Sequence, residues 1–431
     1  MTPLPMGLIA LAFLFALLIM GVPVAFSMLL VGFFGMVSLQ GLDVAMALVG
    51  STAYHSVANW LYIVIPMFIL MGEFAGHSGI VADIFSFFSA WVGRIRGSLA
   101  IVTILTSAVF SFAIGNSVAS TAVMGKLTLP EMMKARYGER LALGSVLAGG
   151  TLGNLIPPST GLVVYGILAE VSIGRLLIGG ILPGLLAGFV FILWIIIAVK
   201  HNPEVAPVSA PSSWMKRLLS LQKVWGMLLL MVAVFASIYT GVATITEAAT
   251  VGAFVTFLIA VFSGKLSLRT LQQSLVDTAL MSAMIFLLLT SVMVFSRFLN
   301  FCGFTRGLVE FIIGTGVSRW MILGGIYLAC IILGCIVDPT SLMLLIVPIF
   351  FPIAVGLKFD PIWFGIMSVI MIQIGLITPP VGLCVYALHG VSNAPVERCF
   401  ASALPPLIMW FIVVLLLTAF PGIAIWLPSK M

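Results

Sequence analysis

The chain has 431 residues, 62% of them hydrophobic and 7% charged, with a formal net charge of +6. Soluble domains carry about a quarter charged residues, so this composition excludes a water-soluble globular protein. Many apolar runs reach the about 20 residues that cross a bilayer. The basic residues sit in the loops between those runs, where they orient a membrane protein and give no sign of a nucleic-acid partner.

The first apolar run, 4–20, has no basic leader and no small-residue cleavage site, and reads as a retained span rather than a signal peptide. Gly21-Val22-Pro23 separates it from a second run at 22–39, with one kinked helix as the alternative. A semi-polar stretch with Tyr54, His55, Ser56 and Asn59 leads to a span near 60–76. "GIVADIFSFFSAWVGRIRG" (79–97) is amphipathic, ends in Arg94 and Arg96, and predicts an arm lying along the membrane interface.

Residues 97–133 carry basic flanks at both ends, Arg94 and Arg96 before and Lys134, Arg136 and Arg140 after. Both ends therefore belong on the cytoplasmic side, which predicts a re-entrant hairpin with its tip near Asn116. Lys126 lies ten residues past that tip, about 15 Å of helix, so its ammonium can snorkel to the interface as a structural residue. A broken span at 141–170 and a returning span at 176–199 follow. The Pro- and Ser-rich segment 201–223 is the expected central cytoplasmic loop. Spans near 224–241, 248–263 and 277–296 come next, with Glu247 at a loop or helix start. An arm at about 303–316, a hairpin at 320–357, a broken span at 361–391 and a last span at 401–427 complete the chain.

These two series share a constant offset. Pro130 and Pro352, Gly153 and Gly375, Pro157 and Pro379, Pro158 and Pro380, and Pro183 and Pro405 all differ by 222 positions, and the same shift carries Asn116 onto Asp338. Three spans precede each hairpin and two follow it, so the second copy starts on the opposite side of the membrane. The expected fold is an all-α polytopic membrane protein with an inverted-topology repeat (1–200 and 224–431), about ten transmembrane helices, two re-entrant hairpins and interfacial arm helices. The repeat puts Arg297, Arg306 and Lys358 outside, a mild departure from the positive-inside rule. Inverted repeats with matching breaks point to a secondary transporter.

The breaks are "GGTLGNLIPPSTGLVVYG" (149–166) and "IQIGLITPPVGLCVYAL" (372–388). Proline removes a backbone donor at a cost of about 3 kcal/mol in a helix, and the freed carbonyls need partners inside lipid. Meeting a hairpin tip near the midplane, they can coordinate a hard cation such as sodium. The candidates are Gly115, Asn116, Ser117, Gly153, Asn154 and Pro157 in one half, and Asp338, Thr340, Ser341, Gly375, Ile377 and Thr378 in the other. Asp338 is the only acid between Arg319 and Lys358, and an acid at membrane depth costs at least about 2.5 kcal/mol, which suggests a cation or polar cavity beside it. "DPTS" also reads as a helix start with Asp as cap, as does Asn116-Ser117, and both roles stay open. Helix starts converging near the midplane also suit a substrate carboxylate. Cys302, Cys330, Cys335, Cys384 and Cys399 read as apolar filler. No HExxH, P-loop or paired buried acid is present, so no catalytic residue, nucleotide or cofactor is expected beyond coupling sodium ions.

"GKLTLPEM" (125–132), "GGTLGNLIPPS" (149–159), "SIGRLLIGGILPGLL" (172–186), "TEAATVGA" (246–253), "FDPIWFGI" (359–366) and "GLITPPVGL" (375–383) resemble, in order and over essentially the whole chain, the large membrane subunit of tripartite ATP-independent periplasmic (TRAP) transporters. The resemblance implies a sodium-driven elevator transporter of the bacterial inner membrane that takes up small organic acids, typically carboxylates. It also implies a small four-span membrane subunit and a periplasmic substrate-binding protein as partners. By motif, Asn116, Ser117, Ser159, Thr160, Thr340, Ser341 and Thr378 carry over as substrate positions. The chain departs from the family pattern at "GNSVAS" (115–120), where a Ser-Gly-Ser type tip is common, and at Cys384, where asparagine often stands. A binding-protein-independent divalent anion:sodium symporter shares the architecture and is the alternative.

Overall fold

A computed structural model describes residues 3–93, 95–208 and 213–430. Arg94, at the end of the first arm, and residues 209–212 of the central segment lie outside the described residues. Among those described there are helices and turns and no strand.

The first half runs α1 (Pro3–Ile19), α2 (Val24–Gln40), α3 (Leu42–Ala58), α4 (Val64–Ser78), α5 (Ile80–Val92), α6 (Ser98–Ile114), α7 (Ser117–Lys134), α8 (Glu139–Thr151), α9 (Thr160–Leu168) and α10 (Ile173–His201). After α11 (Trp214–Lys223), the second half runs α12 (Trp225–Tyr239), α13 (Ile245–Phe262), α14 (Leu268–Phe301), α15 (Phe304–Gly314), α16 (Arg319–Gly334), α17 (Pro339–Gly356), α18 (Pro361–Gly375), α19 (Leu383–Ser392), α20 (Val396–Ala419) and α21 (Gly422–Ile425). Where the hairpins are expected, short turns join α6 to α7 and α16 to α17, and each pair is followed by two helices separated by a Pro-Pro segment, α8 with α9 and α18 with α19. Both Pro-Pro bonds at the breaks are cis.

Six helices among the described residues are long and apolar enough to cross a bilayer alone: 60–78, α10, α13, α14, α17 and α20. The bent pair α11–α12 makes a seventh if counted as one span. Most of the others are shorter apolar helices; among them α1 and α2 are split at Gly21, which has a φ of 83°. Three elements differ from the sequence expectation. The semi-polar stretch after residue 40 is a continuous helix, α3, in which Ser51 and Ser56 turn their hydroxyls to carbonyls of their own helix (Ser56 Oγ donates to the Thr52 carbonyl at 2.7 Å), Ala45 and Leu48 are buried, and the helix packs against α2 and α14. The central loop contains α11, started by Ser213 and packed on the arm α5. The span expected at 277–296 is the middle of the 34-residue α14, whose start is capped by Ser267.

Two packing relationships position the site. Helices α2 with α14 and α4 with α13 pack as extended pairs, joined through contact of α4 with α14. The hairpins pack on the broken helices of their own half, α7 on α8 and α16 on α18, and also on those of the other half, α7 on α19 and α17 on α9. Glycine permits close approach of backbone to backbone here: a methyl group on Gly375 would stand 2.6 Å from the Gly334 Cα. The five cysteines are buried and free, as apolar filler would be.

Candidate transport site

At the first hairpin tip, Gly115 ends α6 with φ 58°, and a methyl group there would lie 2.6 Å from the Pro158 carbonyl oxygen. Only glycine fits that backbone comfortably. Asn116 then caps α7, its Oδ1 accepting from the Val118 and Ala119 amides at 2.9 and 3.1 Å. The Gly115 carbonyl accepts from the Thr160 hydroxyl at 2.9 Å, which ties the tip to the start of α9. Asn154 is buried in the break, and its Oδ1 accepts from Gly161 N (3.0 Å), Ser159 Oγ (3.2 Å) and Thr160 Oγ1 (3.3 Å). Ser159 also donates to the Asn154 carbonyl and caps α9 through the Leu162 amide. Pro157 and Pro158 are themselves buried, against Phe68 and Phe112.

The second tip uses the same device with a charge. One oxygen of Asp338, Oδ2, accepts from the Thr340 and Ser341 amides at 3.1 and 3.0 Å. The other oxygen accepts nothing among the described residues. Across the break, Gly382 N donates to the Cys335 carbonyl at 3.2 Å, joining tip to broken span. Thr378, just past the end of α18, turns its hydroxyl back to the Ile374 carbonyl at 2.6 Å. Pro379 and Pro380 are exposed where Pro157 and Pro158 are buried, so the second break is open and the first is covered.

Both tips line one cavity of about 490 Å³, with Asn116, Thr160, Asp338 and Thr340 in its wall. The opposite wall comes from α4 (Gly72, Glu73, Gly76, His77) and α14 (Met281, Met284, Ile285). Four of the residues singled out from the sequence thus meet there. Ser117, Gly153, Asn154, Pro157 and Ser159 form a buried layer behind the first tip. Ser341 faces a separate groove beside Gly21 and Pro23, and Gly375, Ile377 and Thr378 stand outside the cavity wall.

Glu73 and His77, 4.0 Å apart and one helical turn from each other, were not singled out from the sequence. Their signal is present: two titratable groups at i and i+4 in an otherwise apolar span mark a polar face. Among the cavity's residues there is no Lys or Arg, only two carboxylates and one imidazole. Near the first tip, the hydroxyls of Ser107 and Ser120 are fully buried and have no hydrogen-bond partner among the described residues. Such a group costs about 1–3 kcal/mol, and an oxygen in that condition suits a hard cation.

The description "Tripartite ATP-independent periplasmic transporter, DctM component" matches residues 11–423. The chain belongs to this family. It is a TRAP large permease subunit, a multi-pass protein of the bacterial inner membrane. It is 33% identical to the C4-dicarboxylate TRAP transporter large permease protein DctM of Pseudomonas aeruginosa, over 87% of this chain and 88% of that one. It is 31% identical to the sialic acid TRAP transporter large permease protein SiaM of Vibrio cholerae, over 96% of each. Among solved structures, the YdaH transporter of Alcanivorax borkumensis shares the permease's fold with a TM-score of 0.61 at 13% identity, over 92% of this chain and 90% of that one. MtrF of Neisseria gonorrhoeae does so with 0.60 at 12% identity, over 88% and 85%.

Proposed function

We propose that this permease carries a small organic anion, typically a carboxylate, into the cytoplasm together with sodium, by elevator-type alternating access between two inverted halves. Its partners in this reading are a small membrane subunit and a periplasmic binding protein that delivers the cargo. One observation carries the reading: the two helix starts at Asn116 and Asp338 open into a single cavity whose wall holds no fixed cation.

A helix N-terminus contributes about half a positive charge. Asn116 and Asp338 already take the amides of the first turns, so the field remains while few donors are left. Opposite charges in low dielectric attract far more strongly than in water. An anion entering this cavity therefore needs cations that travel with it. The free oxygen of Asp338 and the unpartnered Ser120 hydroxyl are suitable ligands on the two sides. The relatives named for C4-dicarboxylate and sialic acid support a small organic acid as cargo.

The cavity lies between the tips and the pair α4 and α14, as expected where hairpins and broken helices slide against a fixed scaffold. The test is uptake into proteoliposomes holding this chain and its small subunit, with candidate binding proteins and an imposed sodium gradient. Accumulation that requires both supports the proposal. Uptake without any binding protein would instead mark a self-sufficient symporter, and uptake indifferent to sodium would remove the coupling.

A further inference from the structure

Gln373 is fully buried on α18, two residues ahead of the Gly375 that begins the second break. Its amide oxygen accepts from the hydroxyl of Ser117, the first residue of α7, at 2.6 Å. The same hydroxyl lies 3.4 Å from the Thr151 carbonyl. Thr151 precedes Gly153 by the same two residues and stands 222 positions before Gln373. One hydroxyl at the first tip thus touches both broken helices at equivalent points. The Gln373 amide nitrogen has only a long contact, to the Val369 carbonyl at 3.4 Å.

Packing alone does not call for this side chain. Leucine or methionine fills a similar volume without desolvating an amide, which costs free energy unless it is hydrogen-bonded. We infer that Gln373 is a positioning residue that couples the two half-sites. Through Ser117, a shift of the first tip on binding an ion moves the helix end that presents the second break, and the reverse holds equally, since coupling between sites is reciprocal. This rests on the sodium-coupled reading above. It adds that sodium binds cooperatively and that the cooperativity passes through this bond.

The test uses the purified complex of this chain with its small subunit, and sodium chloride against choline chloride as the probe. Sodium-dependent stabilisation against heat is followed as a titration. The wild type is expected to give a Hill coefficient above one. Gln373→Leu is expected to lower it to one and to raise half-saturation by about tenfold, an ordinary size for coupling between sites. Ser117→Ala, which breaks the same bond from the other side and decides the matter should Gln373→Leu not assemble, is expected to do the same. The double variant is expected to be no worse than either single one, because both remove one interaction. An unchanged Hill coefficient in the single variants, or additive losses in the double, overturns the inference. A wild type that does not respond to sodium overturns the coupled reading itself, a separate outcome.

Discussion

Asn116 and Asp338 stand 222 positions apart in the sequence, and each caps the second helix of a hairpin by accepting two backbone amides on a single oxygen while facing one shared cavity. The geometry is the same and the charge is not. Asn116 offers a neutral amide, whereas Asp338 holds a carboxylate whose second oxygen accepts no hydrogen bond among the described residues.

Replacement at Asp338 separates capping from charge. Asp338→Ala removes the cap, at about 1 kcal/mol, and is expected to insert and assemble while uptake falls sharply and needs more sodium. Asp338→Asn keeps the cap and is expected to assemble like the wild type, yet still to need more sodium for half-maximal uptake. Normal uptake by the Asn variant at unchanged sodium would leave Asp338 as a cap alone.

Gly115 is held at φ 58° against the Pro158 carbonyl oxygen. An alanine there pays the left-handed penalty of about 1–2 kcal/mol and also pushes on backbone that cannot swing away. Gly115→Ala is expected to lower the melting temperature of the complex and to abolish uptake. Wild-type melting and uptake would show that the tip has slack which the structure does not suggest.

Thr160 bonds the Gly115 carbonyl and approaches Asn154, so it fastens the first tip to the first break. Thr160→Val keeps the shape and removes the hydroxyl donor, leaving the tip carbonyl only the long bond from the Thr160 amide at 3.4 Å and weakening the tie by about 1 kcal/mol. Sodium-driven uptake should drop, and Thr160→Ser should restore it. A Ser variant as poor as the Val variant would point to shape rather than to the hydroxyl.

The parts legible in the sequence are those with local causes. Flanking arginines and lysines bounded the first hairpin, Gly115 and the Asn and Asp caps marked the turns, and the proline pairs marked the breaks. Helix α3 escaped because its polar residues imitate a loop until their bonds to their own backbone are seen. Glu73 and His77 escaped because nothing in α4 says which neighbour their face meets. The Ser117–Gln373 bond joins residues 256 positions apart, and only folding brings them together. The repeat offset aligned Thr151 with Gln373 without revealing that one hydroxyl reaches both.

The charge of the cavity wall bears directly on coupling. Glu73 and Asp338 stand in that wall and no Lys or Arg does, so on the proposed reading an anion is held there together with sodium. Glu73 is half-buried, and among the described residues its one neighbour within ion-pair distance is His77 at 4.0 Å. Glu73→Gln removes a charge that attracts the coupling ion, so half-maximal uptake should need more sodium, while assembly is retained. Glu73→Lys goes further and puts a fixed cation opposite the helix starts. The anion then has a partner that never leaves, so its binding should survive without sodium. Accumulation driven by a sodium gradient should fail, because the ion no longer has to accompany the cargo. Uptake by both variants is compared with and without a gradient, together with cargo exchange at equal sodium on both sides. Exchange retained and accumulation lost in the Lys variant is the expected pattern. A Lys variant that still accumulates cargo as the wild type does, with the same sodium requirement, would show that the field of this cavity does not set the coupling.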